Sequence, residues 1–140
     1  MISTRMHGYM DYMMGLLLLL LPVFGNFPSS ANTLLVILGA GTIMYSLITN
    51  YETGLMHILS MKTHLMIDLL AGILLITSPW LFGFADEVIW PFVVLGAIEI
   101  GASLMTSRHP SYQGASSEHH LTALKGEVSG VRGGHYRGNP

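Results

Sequence analysis

The sequence predicts an all-α membrane protein: four transmembrane helices arranged as two repeated helical hairpins. Three observations predict it. Of 140 residues, 51% are hydrophobic and only 10% charged, with a mean hydropathy of +0.53, which lies outside the usual range of a soluble domain. Between Asp11 and Glu52 there is no Asp, Glu, Lys or Arg over about 40 residues, room for two membrane crossings of roughly 20 residues each. Finally, residues 5–49 align without gaps on residues 62–106, with about 15 identities in about 45 positions, several times what a leucine-rich composition gives by chance.

The repeat orders the elements. At an offset of 57, His7 meets His64, Asp11 meets Asp68, Gly15 meets Gly72, Pro22 meets Pro79, Phe27 meets Phe84, Ser46 meets Ser103 and Thr49 meets Thr106. Shared leucines follow from composition, but a histidine, an aspartate, a glycine and a proline in register do not. Each copy reads as an apolar helix, a turn, and a second apolar helix carrying small residues. The first helix is expected near 7–25 and the second near 32–50, joined by the turn GNFPSSAN. The third is expected near 64–84 and the fourth near 88–107, joined by FADE. Turns this short force antiparallel neighbours. The chain therefore divides into a first hairpin, 1–57, a second hairpin, 58–107, and a polar tail, 108–140. Two crossings per copy return the chain to its starting side, so the repeat is parallel rather than inverted.

Arg5 followed by an apolar run also has the outline of a signal peptide, but its counterpart after Lys62 lies in mid-chain and no Ala-x-Ala site follows. The first helix is therefore expected to be retained. Arg5, Lys62, Arg108, Lys125, Arg132 and Arg137 all fall on one side of the predicted spans, and the outer turns carry neither Lys nor Arg. This distribution places both termini in the cytoplasm and the chain in the cell (inner) membrane. The tail loses apolar density and reads as a mobile extension, whose EHH and GGHY stretches hold no ligands in a fixed geometry. A net charge of −2 without a basic face excludes nucleic acid as a partner. Absence of cysteine excludes disulfides and thiolate chemistry.

At Ser78-Pro79-Trp80, followed by Phe82-Gly83-Phe84 and preceded by a duplicated His-x-x-x-Asp-x-x-x-Gly, the sequence resembles the SPW-repeat family of small bacterial membrane proteins. The resemblance spans Arg5 to Ser107 and implies four helices in two hairpins and a membrane location, but no activity. The first copy departs from the pattern: Leu21-Pro22-Val23 keeps only the proline. Proline lacks the amide hydrogen that a helix interior needs, so Pro79 loosens or ends the third helix, and Ser78 can bond a freed carbonyl. Trp80 and Trp90 suit the aromatic belt at the membrane interface, which makes them anchors rather than active-site groups.

The candidate site is the polar end of each copy. His7, Asp11 and Gly15, like His64, Asp68 and Gly72, share one helix face at i, i+4, i+8, so each aspartate can bond the histidine one turn before it. Antiparallel packing brings Ser46 level with Asp11 and Ser103 level with Asp68, closing a His–Asp–Ser cluster in each copy. Spacing alone establishes no hydrolytic triad, and no enzyme activity is expected. The first reading is a satisfied polar clamp in a structural or accessory membrane component, with lipid and a homo-oligomer or membrane-protein partner around it. The second is a small proton- or cation-coupled transporter or channel using His7/Asp11 and His64/Asp68, with Glu99 deeper in the fourth helix. The third is a shared metal or haem centre on His7 and His64, with Asp11 and Asp68 as further ligands or as the groups that hold the ligands. The first reading assigns no metal and no cofactor. Glu99, whose repeat counterpart is Thr42, is expected to be uncharged by desolvation and bonded inside the bundle or across an oligomer contact. The small residues Gly39, Ala40, Gly41, Gly96, Ala97, Gly101 and Ala102 are expected to serve close helix contacts.

Overall fold

A computed structural model describes residues 1–108. Over these the chain is all-helical: α1 (Thr4–Phe24), α2 (Ser29–Ile48), α3 (Met61–Leu81) and α4 (Trp90–Met105). The tail, with its EHH and GGHY stretches, lies outside the described residues. Three helices are long and apolar enough to cross a membrane, and α4 is a shorter apolar helix of 16 residues. The exterior is apolar, with Met13, Phe24, Ile37, Met44, Leu70 and Leu104 exposed, while His7, Asp11, His64 and Asp68 are buried. This inverts the arrangement of a soluble protein and suits lipid as the surrounding solvent.

α1 and α3 start three residues earlier than the sequence pattern suggests, for a local reason. Ser3 and Ser60 cap them, each side-chain oxygen accepting a backbone N–H at 3.2 Å, from Met6 and Thr63. Such a cap satisfies one of the orphan amides of a first turn. The two serines stand 57 residues apart, just outside the aligned segment. α3 ends earlier than expected, at Leu81, because Gly83 takes φ +71° and the Phe84 amide donates back to the Pro79 carbonyl at 2.9 Å. This closes the helix with a left-handed glycine.

Within that last turn, Pro79 offers no amide to the Leu75 carbonyl, and the Ser78 hydroxyl donates to it instead at 2.7 Å. The serine therefore repairs the defect that the proline makes. Ser78→Ala is expected to cost about 1 kcal/mol, seen as a lowered thermal midpoint in detergent with the helical signal retained.

Helix packing is dense within each hairpin and sparse between hairpins. The close approach within a hairpin centres on paired glycines. A Cβ at Gly39 would lie 2.8 Å from the Gly15 carbonyl oxygen, and one at Gly96 would lie 2.6 Å from that of Gly72. Gly41 and Gly101 have open space around them, so the small-residue faces divide: Gly39 and Gly96 serve helix contact and the other two do not. An apolar core drawn from all four helices, with Leu18, Leu35, Leu75 and Phe92 at its centre, fills the end of the bundle near the two short turns. Phe84 and Phe27 close it against Phe92, with ring centroids at 4.8 and 6.3 Å.

At the opposite end the chain makes two short backbone pairings. Ile2 pairs with Thr106, and Leu59 pairs with Thr49. Ile2 and Leu59 stand 57 residues apart, as do Thr49 and Thr106, so the start of each hairpin is tied to the end of the other hairpin.

Candidate functional site

His7 and Asp11 sit one turn apart near the start of α1, and His64 and Asp68 do the same on α3. The Ser3 and Ser60 caps set where those helices begin, and so set the level at which all four side chains enter the bundle. The structure brings them together into one cluster. Their ligand-type atoms lie within 4.8 Å of one another, and each residue is 2% exposed or less.

The expected pairing of each histidine with the aspartate of its own helix is corrected by these distances. His7 Nε2 lies 3.0 Å from Asp68 Oδ2, and His64 Nε2 lies 3.0 Å from Asp11 Oδ2. The contacts within a helix are longer, 3.4 Å for His7–Asp11 and 3.3 Å for His64–Asp68. Both helices turn this stripe toward the interface between hairpins, so the shortest bond crosses it.

Of the two serines, Ser46 takes the expected partner and Ser103 does not. Ser46 Oγ donates to Asp11 Oδ2 at 3.4 Å. Ser103 Oγ donates instead to the Ile100 carbonyl of its own helix at 2.9 Å. The free oxygen of Asp68 is taken by Tyr45, whose hydroxyl donates to Oδ1 at 2.6 Å. The counterpart of Tyr45 is Ala102, so no matching phenol serves Asp11. Its second hydroxyl comes from Tyr51, at 3.3 Å, in the loop between α2 and α3. Burial pushes the Tyr51 phenol up, which keeps it a donor at neutral pH.

Two threonines complete the site. Thr106 Oγ1 lies 3.0 Å from His7 Nδ1, and Thr49 Oγ1 lies 2.8 Å from His64 Nδ1. Each hydroxyl donates its single proton to the carbonyl four residues earlier, at Ala102 and Tyr45, both at 2.6 Å. The ring must therefore donate from Nδ1 in both histidines. Each 3.0 Å contact from Nε2 to a carboxylate then needs one proton, on nitrogen or on oxygen. Either placement leaves the four groups without net charge, the form in which such a cluster survives burial.

The site is roofed at one end by Tyr51, Met61 and Leu65. The rings of Tyr45 and Tyr51 stand 5.0 and 5.4 Å from that of His64. The roof is tied down by Tyr12, which donates to the Thr53 carbonyl at 3.0 Å, and by Thr4, which donates to Glu52 at 2.6 Å.

Of the remaining candidates, Glu99 is buried but outside the cluster, and its Oε1 has no hydrogen-bond partner among the described residues. With Asp11 it lines a groove of about 450 Å³ between α1 and α4, whose other walls are apolar, among them Met13, Leu17 and Leu95. Ser78 and Pro79 are buried at the far end of the bundle, away from the cluster, and Trp80 and Trp90 are 59% and 76% exposed. Tyr45, Tyr51, Thr49 and Thr106 are site residues that the sequence reading did not single out as such. The in-register match of Thr49 with Thr106 was the signal for the threonines. The tyrosines, with no tyrosine at the matching positions of the second copy, left none.

An apolar exterior around helices of this length, with ionisable groups turned inward, defines a helical membrane protein. The chain belongs to the SPW repeat family, whose model for the SPW repeat domain matches residues 5–106. No curated protein and no solved structure matches it.

Proposed function

We propose that this protein is a structural or accessory component of the bacterial inner membrane, multi-pass with both termini cytoplasmic, in which the His7/Asp11/His64/Asp68 cluster clamps two duplicated hairpins together. One observation carries this reading: the 3.0 Å bonds run between hairpins, where other helix packing is sparse. Interhelical polar contacts are a recurrent way of specifying packing in lipid. Its surroundings on this reading are lipid and a second copy or another membrane protein, and the cluster performs no catalysis.

A second reading, a small proton- or cation-coupled transporter, is favoured by a separate observation: one groove is lined by Asp11 of the cluster and by Glu99, whose Oε1 has no hydrogen-bond partner among the described residues. Asp68→Asn separates the two. The clamp predicts a lowered thermal midpoint in detergent and unchanged ion flux in proteoliposomes. Transport predicts lost flux with the midpoint kept, and that result would replace the clamp.

A further inference from the structure

We propose that the cluster is a tetrahedral site for one divalent transition-metal ion of the zinc class, held by His7 Nε2, His64 Nε2, Asp11 and Asp68. This inference rests on the clamp reading and deepens it, since the ion would be the fastener between the hairpins.

The first support is geometry. Asp68 Oδ2 lies 3.0 Å from His7 Nε2 and 3.3 Å from His64 Nε2, and Asp11 reaches the same nitrogens at 3.4 Å through Oδ1 and 3.0 Å through Oδ2. A tetrahedron with metal–ligand arms of about 2.0–2.1 Å has edges of about 3.3–3.4 Å. The nitrogen–oxygen separations are already close to such an edge, and the four ligand atoms, which lie within 4.8 Å of one another, would draw in around an ion.

The second support is the surrounding shell. Metal-bound histidines characteristically donate their other ring N–H to a fixed acceptor, which aims the ligating nitrogen, and ligating carboxylates are themselves hydrogen-bonded. Here the Thr106 and Thr49 hydroxyls accept from the two Nδ1 atoms, and Tyr45, Ser46 and Tyr51 donate to the carboxylates. A plain polar clamp needs no such orientation of both rings toward one point.

The third support is charge. One divalent ion on two neutral imidazoles and two carboxylates leaves no net charge in the buried site, and metal binding takes ligands in their deprotonated forms. Two imidazoles with two carboxylates in tetrahedral array favour zinc over magnesium or calcium, which take six or more oxygens. With four protein ligands and no open position, the site is structural.

The test uses the full chain, without a tag, in detergent. Zinc content is measured after exposure to Zn²⁺ and removal of excess on a chelating resin, in the wild type and in Asp11→Asn/Asp68→Asn. His57 and the tail histidines are present in both, so their binding cancels. The expected result is one more equivalent of zinc in the wild type. Co²⁺ should give the intense visible absorption of a tetrahedral centre in the wild type only. Should the double variant fail to fold, Thr49→Val/Thr106→Val keeps all four ligands and is expected to weaken zinc binding by about 10–100-fold. Equal zinc in wild type and variants, or an octahedral cobalt spectrum, would overturn the metal site. If the variants also lose thermal stability in chelator, the clamp stands without the metal. If they lose neither zinc nor stability, both readings fall.

Discussion

Asp68→Ala is expected to destabilise the protein by about 3–5 kcal/mol, the usual cost of removing one partner from a buried ionic pair. The loss is large because one carboxylate serves three groups. It takes His7 and His64 at 3.0 and 3.3 Å on Oδ2 and Tyr45 at 2.6 Å on Oδ1. Removing it strands a ring nitrogen and a phenol where the flanking side chains exclude water. The effect should be read as a shifted unfolding midpoint in bicelles or mild detergent. A double-mutant cycle then tests the direction of the bonds. His7→Ala with Asp68→Ala should fall short of additivity by about 0.5–3 kcal/mol, the range for residues in contact. The cycle for His7 with Asp11, on the same helix, should show less coupling. Equal coupling in both cycles would mean that the clamp closes within each helix, not between hairpins.

Gly96→Val is expected to separate α3 from α4. A Cβ there would lie 2.6 Å from the Gly72 carbonyl oxygen and 3.0 Å from the Ile76 amide nitrogen, both backbone atoms that cannot rotate away. Overpacking of this kind costs typically about 1–3 kcal/mol, and a branched side chain against backbone belongs at the top of that range. Gly39→Val should do the same to the first hairpin, where the Gly15 carbonyl is 2.8 Å away. Gly101→Val is the control: nothing lies within 4 Å of the added carbon, and a shift within about 0.5 kcal/mol is expected. Matching losses at Gly101 and Gly96 would show that helix contact is not what the glycine serves.

The four helices were legible because apolar runs of spanning length are a composition signal, and because lipid leaves the backbone few alternatives to a helix. The polar residues of the site were legible because histidine, aspartate and serine are conspicuous in an oily chain. Their partners were harder to read. The spacing His-x-x-x-Asp suggests a bond along one helix, yet the shortest bond runs to the other hairpin, and only the rotation of α1 against α3 decides between them. Tyr45 displaced Ser103 as the donor to Asp68 because one phenol reaches across the interface where the counterpart alanine cannot. A shared metal centre ranks last from sequence because spacing gives no distance between the two pairs. The 3.0–3.4 Å separations are what raise it.

The exchange of contacts between hairpins has a consequence for assembly. His7 reaches Asp68 and His64 reaches Asp11; Ile2 meets Thr106 and Leu59 meets Thr49. Every one of these bonds would be kept if two chains traded their second hairpins, because a domain-swapped dimer forms the same junctions in trans. None of them tells a closed monomer from a swapped pair. That choice is left to the connection between α2 and α3, where Tyr51, Glu52 and Thr53 fold back onto α1 of the same chain. A swapped pair would have to open that loop.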